Sequence, residues 1–139
     1  MATVSRVMAL ADVRPTAAVV LAPVDDSDPE VITDVVDSLT PPALMLLWSD
    51  PWIEPAVANR PVMGPCLLTA NLQVLCVGGR LDPGPGIDTI EQLVGYVLER
   101  MEADVYTWPL GLVSALRQQE IGGITYLTAR VNYAVPVTV

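Results

Sequence analysis

The residue types able to do chemistry in this chain are two cysteines, five serines and a glycine-rich loop at Gly78–Gly86. A thiol or hydroxyl nucleophile needs a base beside it, most often histidine. The chain contains no histidine. Ser5, Ser27, Ser38, Ser49 and Ser114 lie in no nucleophile-elbow sequence. Zinc would have to be held by Cys66, Cys76 and carboxylates, an uncommon set. The two thiols would stand roughly 30 Å apart along one strand at about 3.3 Å per residue, too far to pair. Both read as small, reduced core residues. The loop sits where a phosphate loop would, but Gly86 is followed by Ile87-Asp88 and not by Lys-Ser/Thr. Asp88 would also put an anion where phosphate should bind. The cluster Asp25-Asp26-Ser27-Asp28-Pro29-Glu30 lacks the alternating ligands, central glycine and distant glutamate of a calcium loop. No catalytic, cofactor-binding or metal residue is expected, and the chain is expected not to be an enzyme.

The elements around these residues are organised by Leu67–Met101. Leu68, Ala70, Leu72, Val74 and Cys76 alternate with Thr69, Asn71 and Gln73, the pattern of a half-buried strand. Gly78 to Gly86 is too rich in Gly and Pro to continue it. Asp88-Thr89-Ile90-Glu91 reads as a capping box. Ile90, Leu93, Val94, Val97, Leu98 and Met101 then form one apolar helix stripe.

Met1–Leu21 carries a short stripe, Val4, Val7, Met8 and Ala11, which Arg14-Pro15 is expected to end. The acidic cluster reads as the start of a helix through Val31, Ile32, Val35, Val36 and Leu39, with Ser27 or Asp28 as cap and Pro29 in the first turn. Ala43–Trp48 reads as a strand buried on both faces, and Pro51–Pro65 as an extended connector with a brief strand near Trp52-Ile53-Glu54. A strand begins at Leu112. Gly122-Gly123 turns it back into a long strand with Leu127, Ala129, Val131, Tyr133 and Val135 on one face and Tyr126, Thr128, Arg130 and Asn132 on the other. Pro136 suits a strand end or edge. The expected fold is α+β: a mainly antiparallel sheet with two helices packed on one face and a C-terminal β-hairpin. Residues 1–27 are expected to be an N-terminal arm or short helix, and 28–139 a single α+β domain.

The 139 residues are 52% hydrophobic, enough for one core. No apolar run approaches the ~20 residues of a membrane span, and the N-terminus lacks a signal-peptide segment. A soluble cytoplasmic protein is the default. Net charge is −9 and all seven cations are arginine, so phosphate is repelled and sequence-independent nucleic-acid binding is disfavoured. DNA passing nearby would not stick.

With chemistry disfavoured, contact residues remain. Trp52 and Trp108 sit in proline-bearing connectors, either capping the core or anchoring a partner interface, where Trp is enriched. The Gly78–Gly86 loop projects Arg80, Leu81 and Asp82, with Arg80 suited to hold a carboxylate bidentately. Trp52, Arg80, Leu81, Asp82 and Trp108 are the candidate interface residues.

Three segments taken in order carry a resemblance: Thr69–Val77 with its Pro/Gly loop, Thr89–Val94, and Gly122–Leu127 with a terminal strand ending Val135-Pro136-Val137. Together they resemble tail terminator (tail-completion) proteins of long, non-contractile-tailed bacteriophages, over residues 28–139. The resemblance implies an α+β subunit of a sixfold ring at the head-proximal end of the tail tube. Such a ring ends tube growth and joins the tail to the head connector. Its implied partners are other copies of itself, the tail tube protein and the head-closure or connector protein, with DNA passing through unbound and no membrane. The implied location is the virion tail or neck, after assembly in the host cytoplasm. Head-closure and adaptor subunits of similar size are alternatives, as is a peptide- or ligand-binding module unrelated to phage.

Overall fold

A computed structural model describes residues 8–24, 28–33, 41–55, 68–80, 86–103, 108, 111–114 and 116–138. Its elements run β1 (Met8–Ala9), a 3-10 turn (Leu10–Asp12), α1 (Val13–Leu21), β2 (Glu30–Ile32), β3 (Ala43–Pro55), β4 (Leu68–Arg80), α2 (Gly86–Glu102), β5 (Leu112–Val113), β6 (Arg117–Ile121) and β7 (Ile124–Thr138). The fold is α+β. Its sheet has seven strands in the order β1-β7-β4-β3-β2, with β5 and β6 also pairing with β7. The sheet is mixed: β1 lies parallel to β7 and β2 parallel to β3, while the remaining pairs are antiparallel.

β4 and β7 form the centre, paired from Leu68↔Val137 to Arg80↔Tyr126. Their alternation builds the larger core. Leu72, Val74 and Cys76 of β4 meet Val131, Tyr133 and Val135 of β7 on the face that both helices cover. α2 contributes Leu93, Val97 and Met101, and α1 contributes Val13, Ala17 and Leu21. Each Val, Leu or Met among them contributes about 1.5–3 kcal/mol when fully buried. On the opposite face Met45, Leu75, Val77 and Tyr126 make a smaller cluster.

Several sequence expectations need correction. Pro15 does not end a helix but lies in the first turn of α1, where its missing N–H costs nothing. Val31 and Ile32 do not begin a helix: they lie in β2, paired with Leu44 and Met45. The rest of that expected helix, 34–40, lies outside the described residues. Asp28 is not a helix cap. Its Oδ2 accepts from the Val24 amide at 2.8 Å and meets Arg100 Nη2 at 3.4 Å. β4 runs through Gly78 and Gly79 to Arg80 with a register irregularity there. Gly78 lets β4 and α2 approach there, since a Cβ would lie 2.7 Å from the Ile90 side chain of α2. α2 starts at Gly86, so Asp88 falls inside the first turn, where its charge complements the helix dipole, and does not cap it. β3 continues past Pro51 to Pro55, with its register broken between Trp48 and Ile53. The stretch from Leu112 is two short strands, not one.

The hairpin is as expected. Gly122 and Gly123 have φ of 59° and 82°, a left-handed pair that matches the strand twist. Pro136 lies in β7, where β1 covers only Val137 and Thr138.

Candidate interaction surface

The break in β3 produces the most exposed tryptophan environment of the described chain. Trp48 pairs with Leu72 and Ile53 with Ala70, so residues 49–52 stand opposite Asn71. The Asn71 Nδ2 donates to the Pro51 carbonyl oxygen at 2.9 Å and fixes the bulge. A bulge re-aims the side chains that follow it. Trp52 is turned beside Trp48, with ring centroids 5.4 Å apart and planes tilted by 32°. Trp48 rests on the main core, whereas Trp52 stays 48% exposed.

The two rings form one wall of an open depression of about 700 Å³. Its other walls are Leu10, Pro15 and Ala18, together with Arg14 and Thr33. Arg14 straps α1 to the end of β2, its Nη2 donating to the Thr33 carbonyl oxygen. Its Nε is shielded from solvent and has no hydrogen-bond partner among the described residues. The depression is therefore apolar apart from Arg14 and Thr33. A shielded donor without an acceptor costs about 1–3 kcal/mol.

The candidate residues from sequence do not converge. Trp52 lines the depression. Trp108 is 1% exposed inside the main core, its ring edge-on to Tyr133 at 6.4 Å and 70°, so it is a core residue and no surface anchor of this chain. Arg80 ends β4 opposite Tyr126. Leu81 and Asp82 lie outside the described residues. Sequence reading missed Arg14, Trp48 and Asn71, which come together from α1, β3 and β4. It also missed three exposed apolar side chains at and after β5: Leu112 at 72%, Val113 at 47% and Leu116 at 44% exposed.

Cys76 is free and buried among apolar side chains, and burial pushes its thiol up to about 12. It stays protonated and is no nucleophile. Cys66 lies outside the described residues. Burial, then the charge of Glu102, raises the Tyr133 phenol as well. Among the described residues no three of Cys, Asp and Glu gather as a metal site, and no helix is long and apolar enough to cross a membrane.

No protein-family model matches the chain, and no curated protein matches it significantly. Its fold is similar to that of the PVC sheath/tube terminator in the cryo-EM structure of an extracellular contractile injection system in its extended state. The TM-score is 0.51 at 13% sequence identity, over 96% of this chain and 58% of that one. This chain thus spans little more than half of that terminator's length. At such low identity the likeness is one of fold: this chain shares the fold of a terminator from a contractile system.

Proposed function

We propose that this chain is a structural tail terminator, a subunit that closes the head-proximal end of a tail tube and joins it to the head connector. The observation that carries this reading is the terminator-like fold, which extends over nearly the whole chain. The independent resemblance of Thr69–Val77, Thr89–Val94 and Gly122–Leu127 to phage terminators supports it. The finer reading is a long, non-contractile-tailed bacteriophage and a sixfold ring. Its neighbours are the tail tube and head-closure proteins, and it is built in the bacterial host cytoplasm. The chain acts by contact and not by catalysis, without a cofactor. The excess of 16 acids over seven arginines suits a ring through which DNA passes, because cationic walls would retain phosphate.

The test is polymerisation of the tail tube protein with and without this chain. Tubes capped by a ring and arrested in length are expected only when it is present. Tubes that grow equally in both cases would refute the reading. The tryptophan-lined cup favours one other reading, a peptide- or ligand-binding module. A chain that leaves tube growth untouched and holds a peptide at Trp52 as a monomer would establish that alternative.

A further inference from the structure

The segment formed by β1 and α1 crosses the sheet from one border to the other. β1 lies beside β7 and β2 beside β3, so α1 passes over the face between them. The segment has few ties of its own. β1 pairs with β7 only at Met8↔Val137 and Ala9↔Thr138. α1 has 9 residues, fewer than the roughly 12–15 an isolated helix needs in water. Asp12 at its N-terminus makes no side-chain cap bond. The carbonyl groups at its C-terminal end need donors from elsewhere. One comes from α2: Tyr96 Oη donates to the Leu21 carbonyl oxygen at 2.9 Å and lies 3.4 Å from that of Ala22. Arg100, one turn further along α2, stands over the Tyr96 ring, 4.7 Å from its centre. Its Nη2 is 3.4 Å from Asp28 Oδ2, and the same oxygen accepts from the Val24 amide at 2.8 Å. Three side chains thus join the end of α1, and the chain that follows it, to α2.

We propose that Tyr96, Arg100 and Asp28 form a clasp that keeps β1 and α1 closed over the core, and that this segment opens as a unit while the β4–β7 centre stays folded. Tyr96 answers carbonyl groups that α1 cannot satisfy itself. Arg100 holds the phenol ring in place through a cation–π contact, for which its planar group is suited. It also anchors Asp28, which fixes the chain at Val24. The remaining attachments are Val13, Ala17 and Leu21 in the core and the bond from Arg14 to the Thr33 carbonyl oxygen. Opening would uncover the outer edge of β7 at Val137 and Thr138, together with the core beneath α1. The long β4–β7 ladder, from Leu68↔Val137 to Arg80↔Tyr126, does not pass through this segment and keeps its own pairing. Segments with few ties to such a centre open at less than the free energy of global unfolding.

Native-state hydrogen exchange on the full chain tests this. The α1 amides should share one opening equilibrium, easier than that of β4 and β7, and urea should promote it less because less surface is exposed. Tyr96→Phe, which removes only the hydroxyl, and Asp28→Asn should each speed α1 exchange about fivefold, the effect of one hydrogen bond of ordinary net strength. Tyr96→Phe combined with Arg100→Gln should do less than the two effects multiplied, because Arg100 acts partly through the ring. Leu75→Val is the control. Leu75 lies in the cluster on the other face of the sheet, so this change should speed exchange in β4 and β7 and leave α1 as it was. If α1 opens together with β4 and β7, with the same urea dependence or the same response to Leu75→Val, the separate opening is overturned. Unchanged α1 rates in Tyr96→Phe and Asp28→Asn overturn the clasp, since the core contacts alone would then hold the segment. Fully multiplied effects in the double variant overturn the joint action of Tyr96 and Arg100.

Discussion

Asn71 reaches across from β4 to donate to the Pro51 carbonyl oxygen at 2.9 Å, and this bond holds the bulge that presents Trp52. One side-chain amide stands opposite four residues of β3, so the position of the tryptophan pair depends on it. Asn71→Ala should cost about 1 kcal/mol, the usual net worth of a hydrogen bond at a partly solvated site. The effect on the pair should be larger than the effect on the fold. Near-ultraviolet circular dichroism from the adjacent indoles should weaken, while the far-ultraviolet spectrum stays the same. Retention of the full indole signal would show that Trp48 and Trp52 hold each other without the bond.

The buried thiol gives a pH dependence of definite sign. Cys76 titrates at its ordinary value of 9.0 when unfolded and near 12 when folded. Its folded value is the higher one, so its stabilising effect is complete below pH 9 and is lost as pH rises towards 12. In that window the unfolded chain has released a proton that the folded chain keeps. Stability from this group should fall by up to about 1.4 kcal/mol per pH unit. Tyr133, raised by the same burial, adds loss of the same sign at higher pH. Urea titrations of the chain and of Cys76→Ala at pH 7 and pH 10 test this. The variant should show the smaller drop, and parallel drops would rule out the thiol as the cause.

Gly78 is where β4 and α2 come nearest, and its Cβ would meet Ile90 Cγ1 and Cδ1 at 2.7 Å and the Ile90 amide nitrogen at 3.4 Å. The side-chain end can turn aside but the start of the helix behind it cannot move freely. Gly78→Ala should destabilise by about 1–3 kcal/mol, the range for overpacking. Gly78→Ala combined with Ile90→Val should recover part of the loss. A double variant weaker than the single one would mean that the helix backbone, not the isoleucine, is obstructed.

What could be read beforehand follows from the range of each interaction. The strands from Leu68 and to Val135 were legible because alternate burial is written into alternate residues. The stripe from Ile90 to Met101 was legible because a helix laid on a sheet needs that spacing. β2 was not, because Val31 and Ile32 fit a helix stripe as well as a strand, and pairing with Leu44 and Met45 decides between them. Proline misled in both directions. Pro15 suggests a stop although a first turn accepts it, and Pro51 a connector although a bulged outer strand accepts it. Trp108 has the same neighbours in sequence whether it points inward or outward, so only the Tyr133 contact identifies it as core. The depression was invisible for a stronger reason. Arg14, Thr33 and Trp52 are distant in sequence and meet only through the sheet.

Two glycines that take the same substitution should respond with opposite signs. Gly95 lies in α2, exposed, and an added Cβ there meets nothing within 4 Å. Glycine inside a helix costs about 1 kcal/mol relative to alanine, mainly through the freedom it loses on folding. Gly95→Ala should therefore stabilise by about 0.5–1 kcal/mol. Gly123 also has open space around it, but its φ is +82° in the turn between β6 and β7. An L-residue there is strained by roughly 1–2 kcal/mol however much room it has, so Gly123→Ala should destabilise by about that amount. Denaturation midpoints of the two variants, measured side by side, should move in opposite directions. A stabilising shift in both would mean that the turn does not hold its left-handed geometry in solution, and a destabilising shift in both would mean that alanine gains nothing at Gly95.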